Sequence, residues 1–289
     1  MKRLLALGIV FSLFMLSCQT ESQKGSSKNN KPDLESHLAL NEFAETFGGV
    51  WIPKNYLDVI NKHKSAYLSR DEIPFISQLK IHKSNLKDDT LWVESGLNNH
   101  EGYDFKIWKS AQSAKNEFAS LILEWDEDLS LIFRYNLADT SISILMKNAF
   151  DSLVERIDFK RIVGSENAYN SNETAYDYIS RKLILTGKYQ ILDASKKDLG
   201  IAEFEPLEGR ITGFKHAYYT FSTDFIAGVF YPSDYILFRP EFDNYSDQEF
   251  LAMIHLNDTL FIYETVDIIT DSSYNVELGN IKYYLIDKN

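Results

Sequence analysis

The sequence predicts a mainly β protein: an antiparallel barrel or sandwich, with a few short helices at the N-terminus and mid-chain. Three observations carry that expectation. After Pro74, apolar and polar residues alternate with period two, as half-buried antiparallel strands require. Turn-forming pairs such as Asn257-Asp258 and Glu208-Gly209 punctuate the alternation. The strands number about a dozen or more, and a sheet that large closes on itself or splits. One continuous core and two packed barrel-like halves both satisfy the pattern.

The chain begins differently. Lys2 and Arg3 precede an uncharged run from Leu4 to Leu16, shorter than the roughly 20 residues a bilayer span needs. This is the layout of a secretory signal peptide. The run ends in Met15-Leu16-Ser17-Cys18, with the only cysteine of the 289 residues directly after a small residue. The segment resembles the lipobox of bacterial lipoproteins. The resemblance implies cleavage before Cys18 and acylation of its thiol by a diacylglyceryl group. Two acyl chains anchor stably where one does not, so the expected location is the cell envelope, lipid-anchored at the outer membrane, its periplasmic or surface face undecided. Residues 1–17 are then the signal. Residues 18–33 form a polar tether without aliphatic side chains, unable to bury enough surface to order itself.

The folded part divides into 34–164, helices plus a first β segment, and 165–289, a helix plus a second. Leu38, Leu40, Phe43, Ala44 and Phe47 have helical spacing, and Gly48-Gly49 ends that helix. Pro53 suits the start of a second helix, from Lys54 to about Leu68, with Tyr56, Leu57, Ile60 and Tyr67 on one face. Strands follow. Tyr103, Phe105 and Ile107 alternate with Asp104 and Lys106, and Leu129, Leu131, Phe133 and Tyr135 with Ser130 and Arg134. Ile142, Ile144 and Met146 repeat the pattern. A helix over Asn172–Arg181 marks the seam between segments 75–163 and 183–287. Later, Phe250, Ala252, Ile254 and Leu256 share one strand face, and Ile281, Tyr283 and Leu285 another.

Residues 183–287 read as an up-and-down meander, with Gly187-Lys188-Tyr189, Gly209-Arg210-Ile211, Tyr218-Tyr219 and Asp258 to Tyr263 as landmarks. This part resembles lipocalin-like lipoproteins of uncharacterised function, which implies a calyx for a small apolar ligand. Asp89-Thr90-Leu91, Asp151-Ser152-Leu153 and Asp258-Thr259-Leu260 resemble the O-glycosylation sequon of exported Bacteroidetes proteins. An integral outer-membrane barrel does not fit, because the last strand ends Ile286-Asp287-Lys288-Asn289 without a terminal aromatic.

Composition narrows the chemistry. Acids outnumber bases 42 to 30, a net charge of −12, which argues against nucleic acid as a partner. A single cysteine leaves no disulfide framework and no Cys-based zinc site. No two of the six histidines are three or four apart, so no helical metal pair forms. His100-Glu101 reads as a solvated loop, and the acidic run Glu124, Asp126, Glu127, Asp128 as a hairpin tip. Neither a nucleophile elbow nor a phosphate loop occurs. Glu203 and Glu205 share a strand face, as an acid pair needs and as the wet side of an edge strand also shows. No catalytic residue, metal or cofactor is expected.

Aromatics are the informative excess, 17 Tyr and 19 Phe. Tyr218, Tyr219, Phe221, Tyr235 and Phe238 fall in one stretch, and tyrosine stacks on sugars or apolar ligands while its hydroxyl stays bonded. They are the candidate ligand-binding residues, as Cys18 is the candidate lipid-attachment residue. The expected function is a membrane-anchored, non-enzymatic envelope module binding a small apolar or glycan ligand. An accessory or scaffold lipoprotein partnering an envelope protein, and a glycan-active enzyme, are the alternatives.

Overall fold

The structure is a computed structural model that describes residues 38–98, 101–120, 129–163, 175–223, 233–242, 247–269 and 274–288. The expected signal, Cys18 and the expected tether lie outside the described residues, as do His37, His100, the 121–128 run and Asn172. Residues 35–289 form one compact unit.

Helix α1, Leu40–Thr46, buries Leu40, Phe43 and Ala44, and the Glu42 carboxylate accepts the Ala39 N–H at 3.1 Å. Strand β1, Gly49–Pro53, is buried on both faces, and its Trp51 indole donates to the Phe47 carbonyl at 2.9 Å. Helix α2, Lys54–His63, ends where Lys64 turns left-handed at φ 51°. Ser65 then caps a separate turn, α3, Ala66–Ser69, by accepting the Leu68 N–H. The single helix expected over Lys54–Leu68 is therefore two, because the Lys64 turn and the Ser65 hydroxyl intervene.

Strands β2 (Ile76–Lys87), β3 (Thr90–Leu97), β4 (Glu101–Trp108), β5 (Glu117–Ser120), β6 (Leu129–Asn136), β7 (Ser141–Asn148) and β8 (Leu153–Val163) pair in sequence order, all antiparallel. β1 pairs with β2 through Trp51–Leu79 and with β8 through Ile52–Lys160, which closes an eight-stranded barrel. Inward residues such as Leu79, Val93, Phe105, Phe133 and Ile144 fill it. α1 sets Phe43 against Phe118, 4.9 Å between centroids, and against Tyr135.

The second half repeats the meander. Helix α4, Ala175–Ile184, precedes β9 (Gly187–Asp193), β10 (Asp198–Phe204), β11 (Ile211–Thr212), β12 (Tyr218–Phe221), β13 (Asp234–Arg239), β14 (Glu249–Leu256), β15 (Thr259–Ile269) and β16 (Tyr274–Asp287). β16 returns to pair with β9, Leu285 opposite Ile191. The sheet edges, β11 and β12, meet through an Arg210–Tyr218 bridge and a Tyr219 N–H bond to the Gly209 carbonyl. The sheet thus curls round on itself into a second barrel-like body.

Two core clusters answer the question of one core or two. The first fills the β1–β8 barrel. The second joins the inner face of β9–β16 to Tyr56 and Ile60 of α2, and to Tyr176 and Ile179 of α4. β1 serves both, since Trp51 points into the first cluster while Val50 and Ile52 point into the second. On α4 a buried Arg181–Asp177 pair, 2.7 Å, also ties the helix to β12: Asp177 accepts from the Thr220 hydroxyl and the Phe221 N–H. On β14 the sequence places the apolar face on Phe250, Ala252 and Ile254. The core face is instead Leu251 and Met253. Phe250 and Ala252 look outward, where Tyr235 stacks on Phe250 and Val276 covers Ala252.

Candidate functional site

A groove of about 600 Å³ lies on the outer wall of the first barrel, over β2, β3 and β4. A bulge makes it. Between Ile81 and Leu86 of β2 the register slips against Val93 and Leu91, so β2 carries extra residues there. Ser84 and Asn85 from that bulge form one side. On β3 and β4, outward residues pair directly: Trp92 with Lys106, Glu94 with Asp104, and Gly96 with Gly102. Lys80 of β2 pairs with Glu94 from the other side. The wall therefore carries a three-strand ladder, Lys80–Glu94–Asp104, between an aromatic side chain and a pair of glycines.

Of the two glycines, Gly102 lines the groove. Among the described residues a Cβ at Gly102 would meet only the Ser95 carbonyl oxygen, at 4.0 Å. Gly96 is different, since its position lies under the Gln78 side chain. Gln78 in turn accepts the Ala175 N–H at 3.3 Å, which fixes the start of α4 at this end. At the other end Trp92 is 36% exposed, and the Lys106 ammonium lies 4.4 Å from its ring centroid.

The charges feel the wall. Burial pulls the Lys80 ammonium below the usual lysine range, against the pull of Glu94. Burial, and then the adjacent Glu94 carboxylate, raise the Asp104 carboxyl. Glu94 is the better held of the two, since it also accepts from the Asn85 amide at 3.2 Å. Such an arrangement can offer a ligand hydrogen bonds and a ring to stack on.

The five aromatic residues expected to bind ligand are placed as follows. Tyr219, Phe221 and Phe238 are buried in the second core, and the Tyr219 hydroxyl donates to the Leu185 carbonyl at 3.0 Å. Tyr218 packs edge-on against Phe242, and Tyr235 stacks outward on Phe250. The stretch thus splits between the two faces of the sheet. The groove residues were missed by sequence reasoning, although a signal exists: Trp92 occupies the polar face of an alternating strand, with glycines farther along the ladder.

Other candidates resolve individually. Glu203 is exposed and 3.8 Å from Lys188, and Glu208 bonds Arg210 at its turn. His216 is buried, stacked on Phe238, with Nε2 3.4 Å from Glu249, which Lys215 and Lys282 also hold. Thr90, Ser152 and Thr259 all stand at hairpin turns: Asp89 and Asp151, directly before the first two, and Asn257, two before Thr259, have positive φ. Among the described residues no group of three or more His, Cys, Asp or Glu is placed to hold a metal ion. Comparison with family models, curated proteins and solved structures found no match.

Proposed function

We propose that the chain is a lipid-anchored cell-envelope protein, non-enzymatic, that holds a small ligand in the groove on its first barrel. The anchor rests on the sequence from Lys2 to Cys18. The ligand site rests on one observation: an exposed tryptophan beside a partly desolvated Lys–Glu–Asp ladder in a groove of small-molecule size. Tyr219, Phe221 and Phe238 are taken up by packing in the second core.

Two measurements test this. In a bacterial host, C18S should move the protein from the membrane to the soluble fraction, and equal partition of both forms would remove the anchor. Native mass spectrometry of gently purified protein should show an adduct that denaturation releases. A clean apo mass after exposure to envelope extract counts against the groove.

A second reading, an accessory partner of an envelope complex, has its own support. The β7–β8 turn holds Phe150 89% exposed, beside Leu153 and Val154 at 57% and 56%. The turn is ordered, with the Asn148 side-chain oxygen accepting the N–H groups of Phe150 and Ser152. An apolar tip of that kind suits a protein contact.

A further inference from the structure

We infer that the groove over β2–β4 takes a neutral glycan, one sugar ring stacked on Trp92 and its neighbours bonded along the Lys80–Glu94–Asp104 ladder. This rests on the groove being the ligand site, and it chooses between the apolar and the glycan ligand. Four features of the wall make the choice.

The first is charge. Lys80 and Lys87 line the groove together with Glu94 and Asp104, so the charged lining is balanced. A phosphate or sulfate would meet the two carboxylates, and an organic cation would meet the two ammonium groups. A neutral ligand meets neither penalty. The second is polarity. An apolar ligand would bury that ladder and the Asn85 amide without giving them new partners, which is costly. Sugar hydroxyls both donate and accept, so they satisfy carboxylates, amides and ammonium groups alike.

The third is the aromatic. Trp92 lines the end of a polar row and is 36% exposed, so part of its ring is open to a flat apolar face. Lys106 braces that ring and is not part of the groove lining. The ligand must therefore combine a flat apolar face with a polar rim, which is the shape of a pyranose. The fourth is form. The groove runs across three strands on an outer wall to Gly102, where among the described residues only the Ser95 carbonyl oxygen comes within 4.0 Å of a Cβ position. An open end suits a chain of rings, not one enclosed molecule.

The experiment is a printed array of neutral, sialylated and sulfated glycans, probed with the mature chain from Cys18 without its acyl groups. Calorimetry then follows on the best neutral oligosaccharide. Binding to neutral glycans is expected, nearly unchanged between low and high salt. W92A should weaken it at least tenfold, and G102F should abolish it by filling the open end. Circular dichroism should show both variants folded, since both positions face outward. No neutral glycan bound, or only acidic glycans bound, overturns the assignment. Should native mass spectrometry show a non-glycan adduct that G102F removes, the groove stands and the glycan falls. A glycan bound equally well by W92A and G102F removes the groove itself.

Discussion

Asp234 opens β13, yet its carboxylate serves a turn far away in sequence. It accepts the Tyr67 N–H at 2.7 Å and bonds Ser65 and Ala66, so it stitches α3 to the second body. Burial raises its pKa to about 6 despite those bonds. The folded chain then holds a proton that the unfolded chain releases near 4, so stability grows as pH falls from above 6 towards 4. The effect is worth about 2–3 kcal/mol. D234N keeps an oxygen acceptor and removes the titration, so urea melts of the variant should lack that gain. His216 works in the opposite sense. Burial holds its imidazole below the usual histidine range, even with Glu249 nearby. The unfolded state takes up the proton first, so this group lowers stability as pH falls below about 6.5. H216F should remove the acid-side loss in the same melts.

At the scale of elements, helix α4 is held by charge as well as by packing. Its Arg181 is fully buried, paired with Asp177, and donates to the Pro206 carbonyl at 2.8 Å. D177A leaves that guanidinium without its carboxylate and should cost about 3–5 kcal/mol in chemical denaturation. A D177L/R181M pair should cost clearly less. G209A tests the join between β11 and β12. Gly209 has φ 62°, and a Cβ there would collide with the Tyr219 carbonyl. The variant should lose more than about 1 kcal/mol, read from its thermal midpoint. The alternation that revealed most strands also shows why others stayed hidden. β1 is apolar on both faces because it serves two cores, so its run Val50-Trp51-Ile52 carries no period. β14 misleads for a related reason, as Val276 and Tyr235 cover its outer face. The groove escaped because it depends on register: nothing in the order of residues says that Glu94 meets Asp104 or that Gly96 meets Gly102.

Over the whole molecule, β1 couples the two bodies. Ile52 lies in the second core while its strand closes the first barrel, so I52A should lower both together, by about 2–4 kcal/mol. One calorimetric transition is expected, and hydrogen exchange should rise in β8 and α4 alike; loss confined to one half would contradict the coupling. Closure itself has a kinetic side. Val50 waits for Val163, and Ile191 waits for Leu285. Contacts between such distant partners slow folding, because a long loop must close before any bond rewards it. A nascent chain emerging N-terminus first therefore carries β1 with a bare edge until residue 163, and β9 with one until the final strand. Bare edges recruit other strands. A ribosome-released fragment ending before β16 should thus aggregate, seen as light scattering, while the complete chain under the same conditions stays clear.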